Sequence, residues 1–475
     1  MRKLIVSLVA LSLLVLPAFA QSVRTSSLNV GGDDVEDIGN ITTYPQLSGL
    51  YQNKVWFYGI QESYELWQAT VLTELAGHTV GVQITDLSES NTMVSPGSIG
   101  AQALYATEDI GWQLSPWVKP DITANVIFAT EVGSGVVGAN VSYATDTTER
   151  VDDEQDTSAA TAWSDDDTRD ASASYIGLVL GYGMEEVGPL ARLDASLGLG
   201  LPGFEANYDD PESSSTMTAN PAALGRHLTL EKDAGMDMEV NVQGILEQSD
   251  TTTLRVSAGF ASSSLESTET EKDDVNFDGV IDAADTHYSY SLLEKAMQMG
   301  VACVMNKQVN DGGLLILGAG LQLWSESEEY TEMDLDDPQS DGVYALETQD
   351  TYLNEYGGIN IPVVIAVEDM INDVVTLRLG AQKNILMTSK ATETDDDYGV
   401  MGGVANTWGI NYVTTDGEDT DKEASDVSLS MGVGVDFNNF TVNVQTEADI
   451  ILGGPYWITG DSSDLGMDAE VIYNF

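Results

Sequence analysis

The sequence predicts an all-β chain closed into a transmembrane up-and-down antiparallel β-barrel of about 14–16 strands. Three observations carry that reading. Apolar residues recur with a period of two over segments of roughly ten residues, the length a tilted strand needs to cross a bilayer. The links between segments alternate between short and long, the mark of short turns on one side of a membrane and long loops on the other. Beyond the N-terminal leader, no stretch holds about 18 consecutive apolar residues, so the chain has no candidate transmembrane helix.

The elements follow in chain order. MRKLIVSLVALSLLVLPAFA begins with Arg2 and Lys3, continues through an apolar run from Leu4 to Leu16, and ends on small residues at Ala18 and Ala20. That pattern predicts a secretory signal peptide over 1–20, cut before Gln21. Residues 21–53 are too irregular for a strand and are expected to form a periplasmic or plug segment; 54–475 form the barrel. The one cysteine, Cys303, rules out an internal disulfide framework despite an export signal. With 18 basic against 77 acidic residues and a net charge of -59, nucleic acid is excluded as a partner, and divalent cations suit the surface better.

Alternation then recurs to the C-terminus. Leu193, Ala195, Leu197, Leu199 and Leu201 alternate with Asp194, Ser196, Gly198 and Gly200. Met236, Met238, Val240 and Val242 alternate with Asp237, Glu239 and Asn241, and the same holds for Leu254–Phe260, Val375–Gln382, Val427–Phe437 and Val442–Ile450. Short links fall at Glu131–Gly135, Glu185–Pro189, Ser249–Thr252, Asn310–Gly313, Asp369–Asp373 and Asp436–Asn439. Long acidic loops are expected at Thr148–Asp170, Glu205–Ala234, Glu266–His287, Ser325–Asn354 and Ser389–Asp426. Strand starts near 54, 66, 78, 122, 137, 172, 189, 236, 252, 294, 313, 355, 373, 425, 439 and 465 give the higher count, and an even count puts both termini on the periplasmic side. Pro362 interrupts the strand Ile359–Val367, where a closed sheet has no edge to hide it, so a bulge or kink is expected there.

The last strand, LGMDAEVIYNF, ends on Tyr473 and Phe475. Together with the leader and the alternation, it resembles Gram-negative outer-membrane β-barrel proteins, porin-like in strand number, over nearly the whole mature chain. The resemblance implies residence in the bacterial outer membrane and recognition of Tyr473 and Phe475 by the barrel-assembly machinery. It also implies outer-membrane lipid and small solutes or ions as partners, with oligomerisation left open.

About sixteen strands leave room for a water-filled lumen, whereas about eight do not. Alternation points Asp194, Asp237, Glu239, Glu447 and Asp449 inward together with Arg192, Arg255 and Arg378. A carboxylate-lined lumen favours cations over anions, so the expected function is a cation-preferring channel for small solutes. The ordinary alternative is that these charges stitch strands together. Inward glycines such as Gly181, Gly198, Gly200 and Gly432 are expected to relieve crowding and permit curvature. A second reading is transport of hydrophobic substrates, because a plug-like N-terminus and a kinked strand are similar to the long-chain fatty-acid transporter family. That family carries Asn-Pro-Ala in its N-terminal hatch; here the stretch reads Tyr44-Pro45-Gln46, and Asn220–Ala222 lies in a loop. A third reading is a structural or adhesive surface barrel. No enzyme is expected, since His78, His227 and His287 show no spacing that pairs a base with a nucleophile.

Within the stretch 266–287, Asp274 to Asp285 reads DVNFDGVIDAAD. Asp274, Asn276, Asp278, the Val280 carbonyl, Asp282 and Asp285 occupy the ligand positions of an EF-hand loop, with Gly279 at the turn. The pattern resembles a dockerin-type calcium loop, which implies a structural calcium ion stapling one external loop.

Overall fold

The computed structural model describes residues 22–28, 30, 34–61, 67–86, 122–155, 164–210, 226–273, 286–310, 312–336, 345–401, 404–406, 412–414, 427–447 and 467–475. The leader, the Asn220–Ala222 stretch, Asp449 and the whole of Asp274–Asp285 lie outside them. Sixteen strands run antiparallel around one closed sheet, the higher of the two counts read from the sequence.

Four are short: β1 (Lys54–Gln61), β2 (Trp67–Leu75), β3 (His78–Asp86) and β4 (Ile122–Val132). Nine long ones follow: β5 (Gly135–Gln155), β6 (Ser164–Val187), β7 (Leu190–Asp210), β8 (Arg226–Ser249), β9 (Thr252–Asp273), β10 (Thr286–Asn310), β11 (Gly313–Asp336), β12 (Ala345–Met370) and β13 (Val375–Met401). Two three-residue pieces, β14 (Val404–Asn406) and β15 (Tyr412–Thr414), pair with the far end of β13. The wall resumes with β16 (Val427–Phe437), β17 (Phe440–Glu447) and β18 (Met467–Asn474). Closure is direct, from Lys54 opposite Asn474 to Gln61 opposite Met467, so the strands meet all the way round at the belt. The Phe475 amide donates to the Asn53 carbonyl (3.0 Å), which puts the two ends of the barrel chain on one rim.

That rim also carries the short links, now seen as tight turns; in the β4–β5 link Gly133 adopts φ +65°, a left-handed conformation natural to glycine. At the opposite rim the expected loops are shorter than read from the sequence. β5 to β13 run 21–27 residues, absorbing most of the segments assigned to loops. The ladder Glu326–Asp336 against Ala345–Tyr356 is an example of paired strand in a stretch with little hydrophobic alternation. Hydrogen bonding continues past the apolar belt, but with both faces in water the period-two signal fades.

The barrel inverts the usual burial rule. Ile176, Leu178, Leu180, Leu197, Leu199, Leu201, Val256 and Leu379 are exposed, while their neighbours Asp194, Asp237, Arg255 and Arg378 are buried. Outward apolar and inward polar side chains are what a spanning barrel requires, because lipid replaces water as the outer solvent. Pro362 produces the expected irregularity. Its ladder to β11 skips the Gly320 and Leu321 positions, and on the β13 side the register shifts between Ile359 and Asn360.

Residues 22–28, 30 and 34–53 lie against the inner wall. They form α1 (Val23–Leu28), a 3₁₀ turn (Ile38–Ile41) capped by the Asp37 carboxylate on the Gly39 amide (3.0 Å), and a second 3₁₀ helix (Pro45–Tyr51) with proline at its start. Leu28, Ile41 and Tyr44 are wholly buried. Val23, Ile38 and Ile41 pack with Trp56, Tyr58, Leu72 and Ile127 of the wall, and Leu28, Val30 and Val35 pack with Val304, Ile316, Val364 and Ala366. Each such aliphatic side chain contributes roughly 1.5–3 kcal/mol on full burial.

Candidate functional site

The lumen is the candidate site, and its chemistry changes around the circumference. From β2 to β5 the buried polar side chains among the described residues are uncharged: Gln83 donates to Thr70 (3.1 Å), Asn125 to Gln83 (2.9 Å) and Ser142 to Asn125 (2.6 Å), a hydrogen-bonded band across four strands. Such bands satisfy inward polar groups without a net field.

Elsewhere several inward charges hold the N-terminal segment. Glu368 on β12 takes both Nε and Nη2 of Arg24, at 2.9 and 3.0 Å, and also Nε of Arg378 at 2.6 Å. Arg378 passes the link to Asn443 (2.7 Å), whose amide donates to Glu470 (2.6 Å). Glu470, 1% exposed, also accepts the Trp56 indole N–H (2.9 Å) and the Val23 amide (3.2 Å). A bidentate guanidinium–carboxylate contact is among the stronger polar links a protein makes. Burial opposes the charge on Arg24, but the bonds to Glu368 and the charges of Glu368 and Asp37 outweigh it and raise its pKa, so it stays cationic. Burial first, then the Asp37 and Glu36 carboxylates, push the Tyr51 phenol up and keep it neutral.

Across the lumen Gln46 donates to Asp194 (3.1 Å), which also pairs with Arg192 (2.8 Å), and Arg255 approaches Glu36 at 3.9 Å. Ser430 donates to the Ser27 carbonyl (3.0 Å) and Asn306 to that of Asp34 (2.8 Å). Glycines set the fit. A Cβ at Gly138 would overlap the backbone of Pro45 and Gln46, one at Gly181 the Gln46 side chain, and one at Gly432 the Ser27 side chain. Their role at these three positions is therefore clearance for the N-terminal segment, which for Gly181 and Gly432 is more specific than the curvature expected from sequence.

Asp194, Arg192, Arg255 and Arg378 thus meet around the segment rather than lining open space. Asp237 and Glu239 line a shallow recess of the wall together with Tyr175, Gly198 and Gly200. Glu447 falls at the end of β17, opposite Ser430. At the terminus Tyr473 stacks on Phe440 at 4.5 Å and on Phe475 at 6.4 Å, and Phe475 is exposed. Sequence reasoning missed Arg24, Gln46, Glu368 and Asn443. The signal for Glu368 was present: Val363 to Val367 is apolar on both faces, as expected where one face meets lipid and the other a packed lumen.

Neither a family model nor a curated protein matches the chain. Among solved structures, the TodX monoaromatic hydrocarbon channel deltaS2 mutant aligns at 10% identity and a TM-score of 0.40, covering 96% of this chain and 99% of that one. The toluene transporter TbuX of Ralstonia pickettii gives 10% and 0.36, over 96% and 98%. A Pseudomonas aeruginosa FadL homologue gives 10% and 0.39, over 96% and 98%. Likeness at this level establishes no family.

Proposed function

We propose that this chain, after loss of residues 1–20, is a plugged channel of the bacterial outer membrane that passes small solutes and prefers cations. The observation that carries the reading is the N-terminal segment clamped by ion pairs inside a closed, polar-lined, lipid-facing barrel. A wall built only for anchorage needs no such filling, whereas a channel needs a closed state. Inward carboxylates beyond the plug, among them Asp237 and Glu239, lower the energy of a passing cation. Purified protein in planar bilayers across a potassium chloride gradient tests this: the reversal potential is expected to lie toward the potassium equilibrium value. A reversal potential displaced toward chloride would defeat the cation preference, and silence from both wild type and plug-loosened variants would defeat the channel.

Hydrophobic transport is the second reading. It is supported by the inward apolar patch Ile316, Val364 and Ala366, which displacement of the plug would bare to the lumen. Calcium at Asp274–Asp285 is part of the proposal as well. Asp273 and Thr286 are register partners, so those twelve residues make up the whole β9–β10 connection, a loop of EF-hand length. Calorimetry on the full chain should show calcium heat that Asp278→Ala removes; no heat at millimolar calcium would end this part of the reading.

A further inference from the structure

On β10, β11 and β12 the inner wall changes character just beyond the plug. Val304 and Val364 form the seat on which Leu28, Val30 and Val35 pack. The next inward positions away from the short-turn rim are Ala302 on β10 and Gly320 on β11, which stand opposite each other. One row further, Gly300, Gln322 and Asn360 are register partners, and in the row after that Gln298 faces Trp324. None of these side chains is charged, in contrast to the sectors that hold Arg24, Asp194 and Glu470.

Two independent observations make this patch more than a smooth stretch of wall. The first is room. Beyond its chain neighbours, a Cβ at Gly300 would meet only the Leu321 carbonyl oxygen, at 3.4 Å, and that atom belongs to the wall; the lumen side is clear. Gln298, Gly300, Ala302, Gly320, Gln322 and Trp324 all keep part of their surface open. The second is an acceptor with nothing to accept. Asn360 is 8% exposed, and its amide nitrogen donates to Gln322 (3.4 Å), but its Oδ1 has no hydrogen-bond partner. A buried amide oxygen left in that state is costly, and a guest that brings an O–H or N–H removes the cost.

The surroundings define the guest. An uncharged patch gives no advantage to an ion. Gln298 and Gln322 each offer donors and an acceptor, which suits a molecule carrying several hydroxyls. An indole ring supplies an apolar surface whose face attracts weakly positive C–H groups. Successive inward rows are about 7 Å apart and strands about 4.8 Å apart, so Trp324, Gln322 and Asn360 lie within reach of one six-membered ring and its hydroxyls. We propose that Trp324, Gln298, Gln322 and Asn360, around the clearing at Gly300 and Gly320, form a subsite for a neutral monosaccharide. The subsite rests on the reading of the lumen as a solute path and names a substrate class for it. A sugar held there lies directly on the outer side of the plug's apolar seat.

The test is calorimetric titration of the full chain in detergent with glucose, galactose, mannose and xylose, using cyclohexanol as the apolar ring and gluconate as the charged control. Saturable binding of at least one sugar is expected, weakened about tenfold by Trp324→Ala and by Asn360→Ala, and removed by Gly300→Val, which fills the clearing. Circular dichroism of each variant verifies the barrel. Equal binding of cyclohexanol or gluconate, binding unchanged in Trp324→Ala and Asn360→Ala, or no saturable binding of any of these sugars would overturn the subsite. Conductance separates the two claims: binding without conductance removes the channel reading and leaves the subsite, and conductance without binding does the reverse.

Discussion

Arg24 and Glu368 are the pair on which the plug's position depends most. Truncating Arg24 leaves Glu368 with Arg378 alone and unseats α1, a loss of about 3 kcal/mol for breaking a largely buried ion pair. Arg24→Ala is therefore expected to raise the open probability in bilayer recordings by roughly a hundredfold at that energy; an unchanged open probability would show that the apolar contacts suffice. Gly138→Val acts from the opposite wall, because its side chain needs the space that Pro45 and Gln46 occupy. That variant should retain the barrel by circular dichroism and conduct more than wild type. At this scale the sequence was only half legible. Inward positions of Arg192, Asp194, Asp237 and Arg378 follow from alternation alone, but Gln46 and Arg24 lie in an irregular stretch with no period to orient them, and their partners are 148 and 344 residues away.

The strands themselves divide into a legible lower half and an illegible upper half. Where one face meets lipid, period two fixed both the existence of strands such as Leu193–Leu201 and Val427–Phe437 and which of their residues face outward. Above the belt, segments such as Glu266–Asp273 and Ser325–Asp336 have polar residues on both faces, and composition alone reads as loop. Limited proteolysis with a glutamate-specific protease checks the correction. Glu326, Glu328 and Glu329 sit in a ladder bonded on both sides and should resist cleavage in the folded protein. Rapid cutting there would restore the loop assignment. Pro362 was readable because a closed sheet offers proline no edge, and the missing pairs beside it follow from its absent N–H.

The whole molecule is a closed sixteen-strand wall around a segment of its own chain. The wall was legible because closure needs only length, alternation and an even number of strands. A plug was one of two expectations for residues 21–53, but what holds it was not legible, since its partners Asp194, Glu368 and Glu470 lie 148, 344 and 447 residues from Gln46, Arg24 and Val23. The central claim is that residues 22–52 close a path that the barrel would otherwise leave open. Single-channel recording of the chain with that segment deleted, its barrel verified by circular dichroism, tests this most directly. The account predicts large, steady, cation-selective steps where the intact protein is mostly closed; conductance identical to that of the intact protein would contradict it.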